Sequence, residues 1–97
     1  MDSMFGEASK FNQNINSWNV SSVSIMSNMF NEASSFNQPL DLWNVSAVTN
    51  MYGMFNKASS FNQSLNAWDV SSVTEMEHIF DNAVSLDTNN ARWYDFD

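Results

Sequence analysis

The sequence predicts an α/β repeat fold: a short, curved, leucine-rich-repeat-like solenoid, with parallel short strands on its concave side and short helices on its convex side. Three observations carry that expectation. Trp18, Trp43, Trp68 and Trp93 recur every 25 residues, and Phe5, Phe30, Phe55 and Phe80 keep the same step. Ala8, Ala33, Ala58 and Ala83 do so too, as do Met1, Met26, Met51 and Met76. Finally, the apolar spacing changes its period halfway through each repeat. A fixed period of roughly 20–50 residues marks a stack of repeats, each burying its apolar face against its neighbours.

The central repeat runs from Phe36 to Ala58. In its first half, Leu40, Leu42, Trp43 and Val45 alternate imperfectly, as do Leu65, Ala67, Trp68 and Val70 in the next repeat. This spacing predicts a short strand followed by a turn. Pro39 stands just before Leu40, where a strand start tolerates proline. Ser21, Ser46 and Ser71 follow, and serine is a favoured helix N-cap. In the third repeat, Ser72 with Glu75 offers a competing capping box. Val48, Met51, Met54, Phe55 and Ala58 then fall at steps of three, three, one and three, repeated by Val73, Met76, Ile79, Phe80 and Ala83. That stripe predicts a helix of about three turns. Strands stack about 4.8 Å apart. Helices pack about 8–10 Å apart, so the stack should curve with its strands inside.

Residues 1–97 are expected to form one domain of about four repeats. The last repeat, about 84–97, is degenerate: Leu86 replaces Phe, Asn90 replaces Leu and Asp95 replaces Val. Its tail, Arg92-Trp93-Tyr94-Asp95-Phe96-Asp97, reads as an acidic C-terminal cap. The other end starts in mid-helix, with Met1, Met4 and Phe5 at core positions and no repeat before them. An apolar end left in water is a site for association, so this end should contact another polypeptide: a preceding repeat, a second copy or a larger complex. The acidic end should be less adhesive, because Asp95 and Asp97 would have to be desolvated.

The net charge is -8 and the isoelectric point about 4.1; Lys10, Lys57 and Arg92 are the only basic residues besides one histidine. Nucleic-acid phosphates require clustered Lys and Arg, so nucleic acid is excluded as a partner, and anionic membrane surfaces fall with it. The absence of cysteine rules out disulfides and cysteine nucleophiles. No apolar run is long enough to insert into a bilayer. The first five residues show no signal-peptide pattern.

The residue pattern points away from an enzyme and from any cofactor or metal. His78 stands alone, at the repeat position of Ser3, Asn28 and Gly53, and reads as an exposed helix residue. Glu75 and Glu77 would face different ways on a helix. Gly6 and Gly53 cannot make a phosphate loop. The rows Asn16/Asp41/Asn66 and Asn19/Asn44/Asp69 could stack oxygen ligands for calcium, but each holds a single carboxylate. Asn12, Asn37 and Asn62 share a position, followed by Gln13, Gln38 and Gln63. They could form a polar binding ladder, or an internal ladder satisfying turn backbone; their place directly after a Phe row favours the latter. The seven methionines could line a binding groove or fill the core, and their spacing favours the core.

The strings FNQSLNAWDVSSVTEM and FNQPLDLWNVSAVTNMYGMF resemble the repeats of BspA-like bacterial surface proteins, over essentially residues 1 to 90. The resemblance implies a leucine-rich-repeat-like module used for adhesion or protein binding at a cell surface, with no catalytic residues to carry over. The expected function is therefore a non-catalytic protein-binding or adhesion module. Asn14, Asn16, Asp41 and Asn66 would lie on its concave face, and Met1, Met4 and Phe5 at its open end. The alternative is a structural subunit or filament segment, packed through that first repeat into a homo-oligomer or larger complex.

Overall fold

Residues one period apart lie side by side in the computed structural model, which describes residues 1–96. The rings of Phe5, Phe30, Phe55 and Phe80 form one column, with successive centroids 5.5, 5.4 and 5.7 Å apart and planes within 14° of parallel. Phe11, Phe36 and Phe61 form a second column, spaced 5.7 and 5.9 Å. The two columns touch at every level, at 4.1, 4.4 and 4.5 Å. Met26, Met29, Met51 and Met54 fill the space beside them and are fully buried, as are Ala33 and Ala58. The methionines of the inner repeats are thus core, as their spacing indicated.

The expected strands and helices are not there, and the α/β solenoid reading is wrong. Among the described residues the one helical element is a single 3-10 turn, Thr88–Asn90, capped by the Asp87 side chain. Extended pairing is reduced to isolated parallel bridges, Ile25 to Asn50 and Asn50 to Glu75. The whole body measures 31 × 29 × 19 Å.

The physical reason lies in two backbone positions per repeat. Ser3, Asn28, Gly53 and His78 all have φ between 55° and 62°. Four residues later, Glu7, Glu32, Lys57 and Asn82 have φ between 60° and 62°. A right-handed helix needs negative φ at every residue, so two left-handed residues within one stripe prevent it. The segment instead makes a chain of tight turns. Met29 N–H donates to the Met26 carbonyl, Asn31 to Asn28 and Ala33 to Phe30, and the next repeat does the same through Met54, Asn56 and Ala58. These overlapping turns, begun at Met26, Asn28 and Phe30, leave Met26, Met29, Phe30 and Ala33 buried, at the steps that suggested a helix.

The remaining amides of this segment bond between repeats, and all in one direction. The N–H groups of Met26, Asn28, Phe30 and Glu32 donate to the carbonyls of Asn50, Tyr52, Met54 and Asn56, at 2.7–2.9 Å. Those of Met51, Gly53, Phe55 and Lys57 donate in turn to Glu75, Glu77, Ile79 and Asp81. Along this segment the amide hydrogens point at the following repeat; just before it the direction reverses, Thr49 N–H donating back to the Ser24 carbonyl and Thr74 N–H to the Thr49 carbonyl.

The presumed strand half is also turned. Trp43 N–H closes a turn on the Leu40 carbonyl, and Val48 N–H closes one on Val45. Leu40, Trp43 and Val45 are buried while Leu42 is 73% exposed. Without helices on one side and strands on the other, no spacing mismatch remains to generate curvature. Ser21, Ser46 and Ser71 cap no helix. Their backbone N–H groups donate to the Asn19, Asn44 and Asp69 side chains two residues earlier, closing Asx turns. Asp97, the last residue of the expected C-terminal cap, lies outside the described residues.

Candidate interaction surfaces

Three rows of polar groups clasp each repeat to the next. The Trp43 indole N–H donates to the Ile15 carbonyl at 3.0 Å, Trp68 to Leu40 at 2.9 Å and Trp93 to Leu65 at 2.8 Å. Each of those carbonyls also accepts the backbone N–H of the tryptophan three residues on. Tryptophan thus supplies core volume and a directed bond together.

The second row contains the residues expected to bind a partner. The Asn16 amide donates to the Asp41 carboxylate at 2.9 Å, and its oxygen accepts Leu42 N–H. The Asn66 amide reaches the Asn89 carbonyl, and its oxygen accepts Arg92 N–H. Asn14 accepts the Asn16 N–H within one turn. The structure therefore brings Asn14, Asn16 and Asp41 together, and places Asn66 in the same row further along. Asn16 is nearly buried, and Asp41 and Asn66 are exposed.

The third row is the asparagine ladder. The Asn12, Asn37 and Asn62 side-chain oxygens accept the backbone N–H of Asn37, Asn62 and Asp87, each at 2.9 Å. Gln38 and Gln63 add amide donors to the same oxygens. These side chains satisfy turn backbone, the second of the two sequence readings.

The first repeat presents a different surface. Met4 is 53% and Trp18 39% exposed, and Met1, Phe5 and Phe11 are half-buried. The same positions one repeat on are Met26, Met29, Phe30, Phe36 and Trp43, all buried. The carbonyls of Asp2, Met4 and Gly6 stand where Tyr52, Met54 and Asn56 receive amides inside the stack, and among the described residues they accept none.

The C-terminal side is better covered. Phe80 is 8% exposed. Phe96 stacks on it at 5.7 Å and 23°, and Tyr94 meets it edge-on at 5.3 Å. A cleft of about 350 Å³ opens beside these rings, lined by Val84, Leu86 and Thr88 among others. An open groove of about 340 Å³ runs along Glu7, Ser9, Glu32, Ser34 and Lys57.

His78 is exposed, but on a left-handed turn rather than a helix, with its Nδ1 2.6 Å from the Asp81 carboxylate and its ring edge-on to Tyr52. Among the described residues no three His, Asp or Glu side chains gather as a metal site. No helix there is long and apolar enough to cross a membrane. The Ser71 hydroxyl, then the Ser71 backbone N–H, hold the Asp69 carboxyl below its ordinary range.

Sequence reasoning missed the indole clasp and the left-handed positions. Asn28 and Gly53 at one repeat position were a usable signal, since both residue types favour positive φ. Glu7, Glu32 and Lys57 at the other carry no such preference.

A stack of short repeats, held by side-chain amides and stacked rings, defines a repeat protein. Residues 1–93 match the family described as Mycoplasma protein of unknown function, DUF285, and the chain belongs to that family. No curated protein and no solved structure matches it.

Proposed function

We propose that the chain is a non-catalytic protein-binding module of the BspA-like kind, engaging its partner through the open face of the first repeat. The observation that supports this is the contrast between Met4, Phe5, Phe11 and Trp18, partly in water, and their buried counterparts one repeat on. Covering one such side chain stabilises an association by roughly 1.5–3 kcal/mol. The carbonyl row beside them can accept a partner's backbone amides. The polar row at Asn14, Asn16, Asp41 and Asn66 is a secondary contact surface, since Asp41 and Asn66 are exposed. The same open face also favours a second reading, a structural subunit assembled through its first repeat.

Light scattering over a rising concentration series tests the adhesive face, the first protein offered being another copy. The average mass should climb above the monomer for the intact chain and stay monomeric for Met4→Glu and Phe5→Glu. Identical behaviour of all three, with unchanged near-ultraviolet circular dichroism, would refute the proposal.

A further inference from the structure

We propose that Asn19 and Asn44 are acceptor sites for N-linked glycans, each of which the finished fold can carry. The inference is independent of the contact assigned to the first repeat's open face.

Three Asn-x-Ser triplets occur in the chain: Asn19-Val20-Ser21, Asn44-Val45-Ser46 and Asn62-Gln63-Ser64. Such a triplet is the acceptor pattern for N-glycosylation, and the bulk of the sugar confines it to the surface. All three asparagines are exposed. Asn19 and Asn44 are satisfied wholly within their own triplets. The Asn19 oxygen accepts the Ser21 N–H at 3.0 Å and the Ser21 hydroxyl at 2.6 Å. The Asn44 oxygen accepts the same pair from Ser46, at 3.0 and 2.7 Å. Neither side chain bonds another repeat among the described residues. Asp69, at the same repeat position, closes the same turn on Ser71 and has no amide nitrogen. The fold thus uses one oxygen at this position and leaves the asparagine nitrogen unused, so a sugar attached there displaces no bond.

Asn62 differs. Its oxygen accepts the Asp87 N–H and the Asn90 amide, both at 2.9 Å, and the Ser64 hydroxyl takes the Asn66 N–H instead. It is a rung between two repeats, and a sugar on it has to share that space with the next one. In the transfer, the asparagine nitrogen attacks the anomeric carbon of a lipid-linked oligosaccharide diphosphate. The N–C bond forms as the C–O bond to the diphosphate breaks, the lipid diphosphate leaves with the bonding electrons, and one amide proton passes to the transferase. Val20 is 3% and Val45 1% exposed. The transferase must therefore read each triplet before its middle residue enters the core, and the stack then closes with the sugar outside.

The test translates the full chain, led by a cleavable secretion signal, in the presence of microsomal membranes that supply the transferase and its lipid-linked oligosaccharide. Ser64→Ala leaves Asn19 and Asn44 as the available acceptors, whereas Asn19→Asp with Asn44→Asp leaves Asn62 and keeps both turns, as Asp69 does. The Ser64→Ala chain should gain a mass that peptide N-glycosidase removes, and all three changes together should abolish it. Purified with its sugar, the Ser64→Ala chain should keep the near-ultraviolet circular dichroism and melting temperature of the same chain after deglycosylation. The chain glycosylated at Asn62 should melt lower than its deglycosylated form, or stay bare. No added mass on the Ser64→Ala chain, or a glycan that survives all three changes, would overturn the assignment of Asn19 and Asn44. A glycosylated Ser64→Ala chain without near-ultraviolet signal would overturn the claim that the fold carries the sugar. Equal melting of the Asn62 glycoform and its bare form would overturn the distinction between the triplets.

Discussion

Replacing Trp43 by Ala removes a ring that is 3% exposed, tilts against Phe30 at 6.3 Å and donates its indole N–H to the Ile15 carbonyl. Emptying such a site typically costs about 3–5 kcal/mol. The hydrogen bond adds at the low end of its range, about 0.5–1.5 kcal/mol, because the Ile15 carbonyl keeps its bond from Trp18 N–H. Against a total stability of about 5–15 kcal/mol, this is a large share. At about 4–8 °C per kcal/mol for a domain this small, Trp43→Ala should lower the melting temperature by more than about 12 °C. Trp18→Ala is the internal control: it has the same repeat position, but is 39% exposed and its indole N–H clasps no other repeat among the described residues. Its loss should be under about 2 kcal/mol. Urea titrations followed by near-ultraviolet circular dichroism measure both. Equal, small shifts for the two variants would refute the claim that indoles clasp successive repeats.

The left-handed row predicts that Gly53→Ala costs about 1–2 kcal/mol in backbone energy, and more if Asn28 cannot swing away, since the new Cβ would sit 2.5 Å from the Asn28 Oδ1. Asn28→Gly should be nearly neutral, and urea midpoints separate the two. Asn37→Ala should cost about 0.5–1.5 kcal/mol, because Asn62 N–H loses its acceptor and the Gln63 amide keeps only the Asn37 backbone carbonyl; Asn37→Asp, which retains an acceptor oxygen, should recover most of it. Asp69 is held below its ordinary value by Ser71, so its contribution is present above about pH 4 and is lost as pH falls through the lower folded value. Asp69→Asn, matching Asn19 and Asn44, should remove that part of the acid sensitivity in urea midpoints measured from pH 5 to pH 2.

The period, the core rows and the asparagine ladder were legible because they depend on which residues recur. Trp43, Trp68, Met51, Met54, Phe55 and Ala58 are buried as their repetition implied. The local conformation was not legible, because an apolar residue every third or fourth position suits a helix and a train of tight turns equally well. Only backbone preference separates them, and it spoke faintly, through Asn28 and Gly53. Glu32 and Lys57, good helix formers, argued the wrong way; their positive φ is imposed by the bonds that Glu32 and Lys57 N–H make to Asn56 and Asp81. The polar site was half visible. The sequence placed Asn16, Asp41 and Asn66 in one row, but not the cross-repeat bonds they make.

The left-handed turns also decide what a spectroscopist would see. A folded chain with three residues of 3-10 helix and no regular strand among its described residues has almost nothing to give the far-ultraviolet bands by which folding is commonly judged. Its order resides in parallel phenylalanine and tryptophan rings. A molten globule keeps its far-ultraviolet signal and loses the near-ultraviolet one; this protein should show the reverse. Screened by secondary-structure content alone, a fully native preparation would be discarded as unfolded.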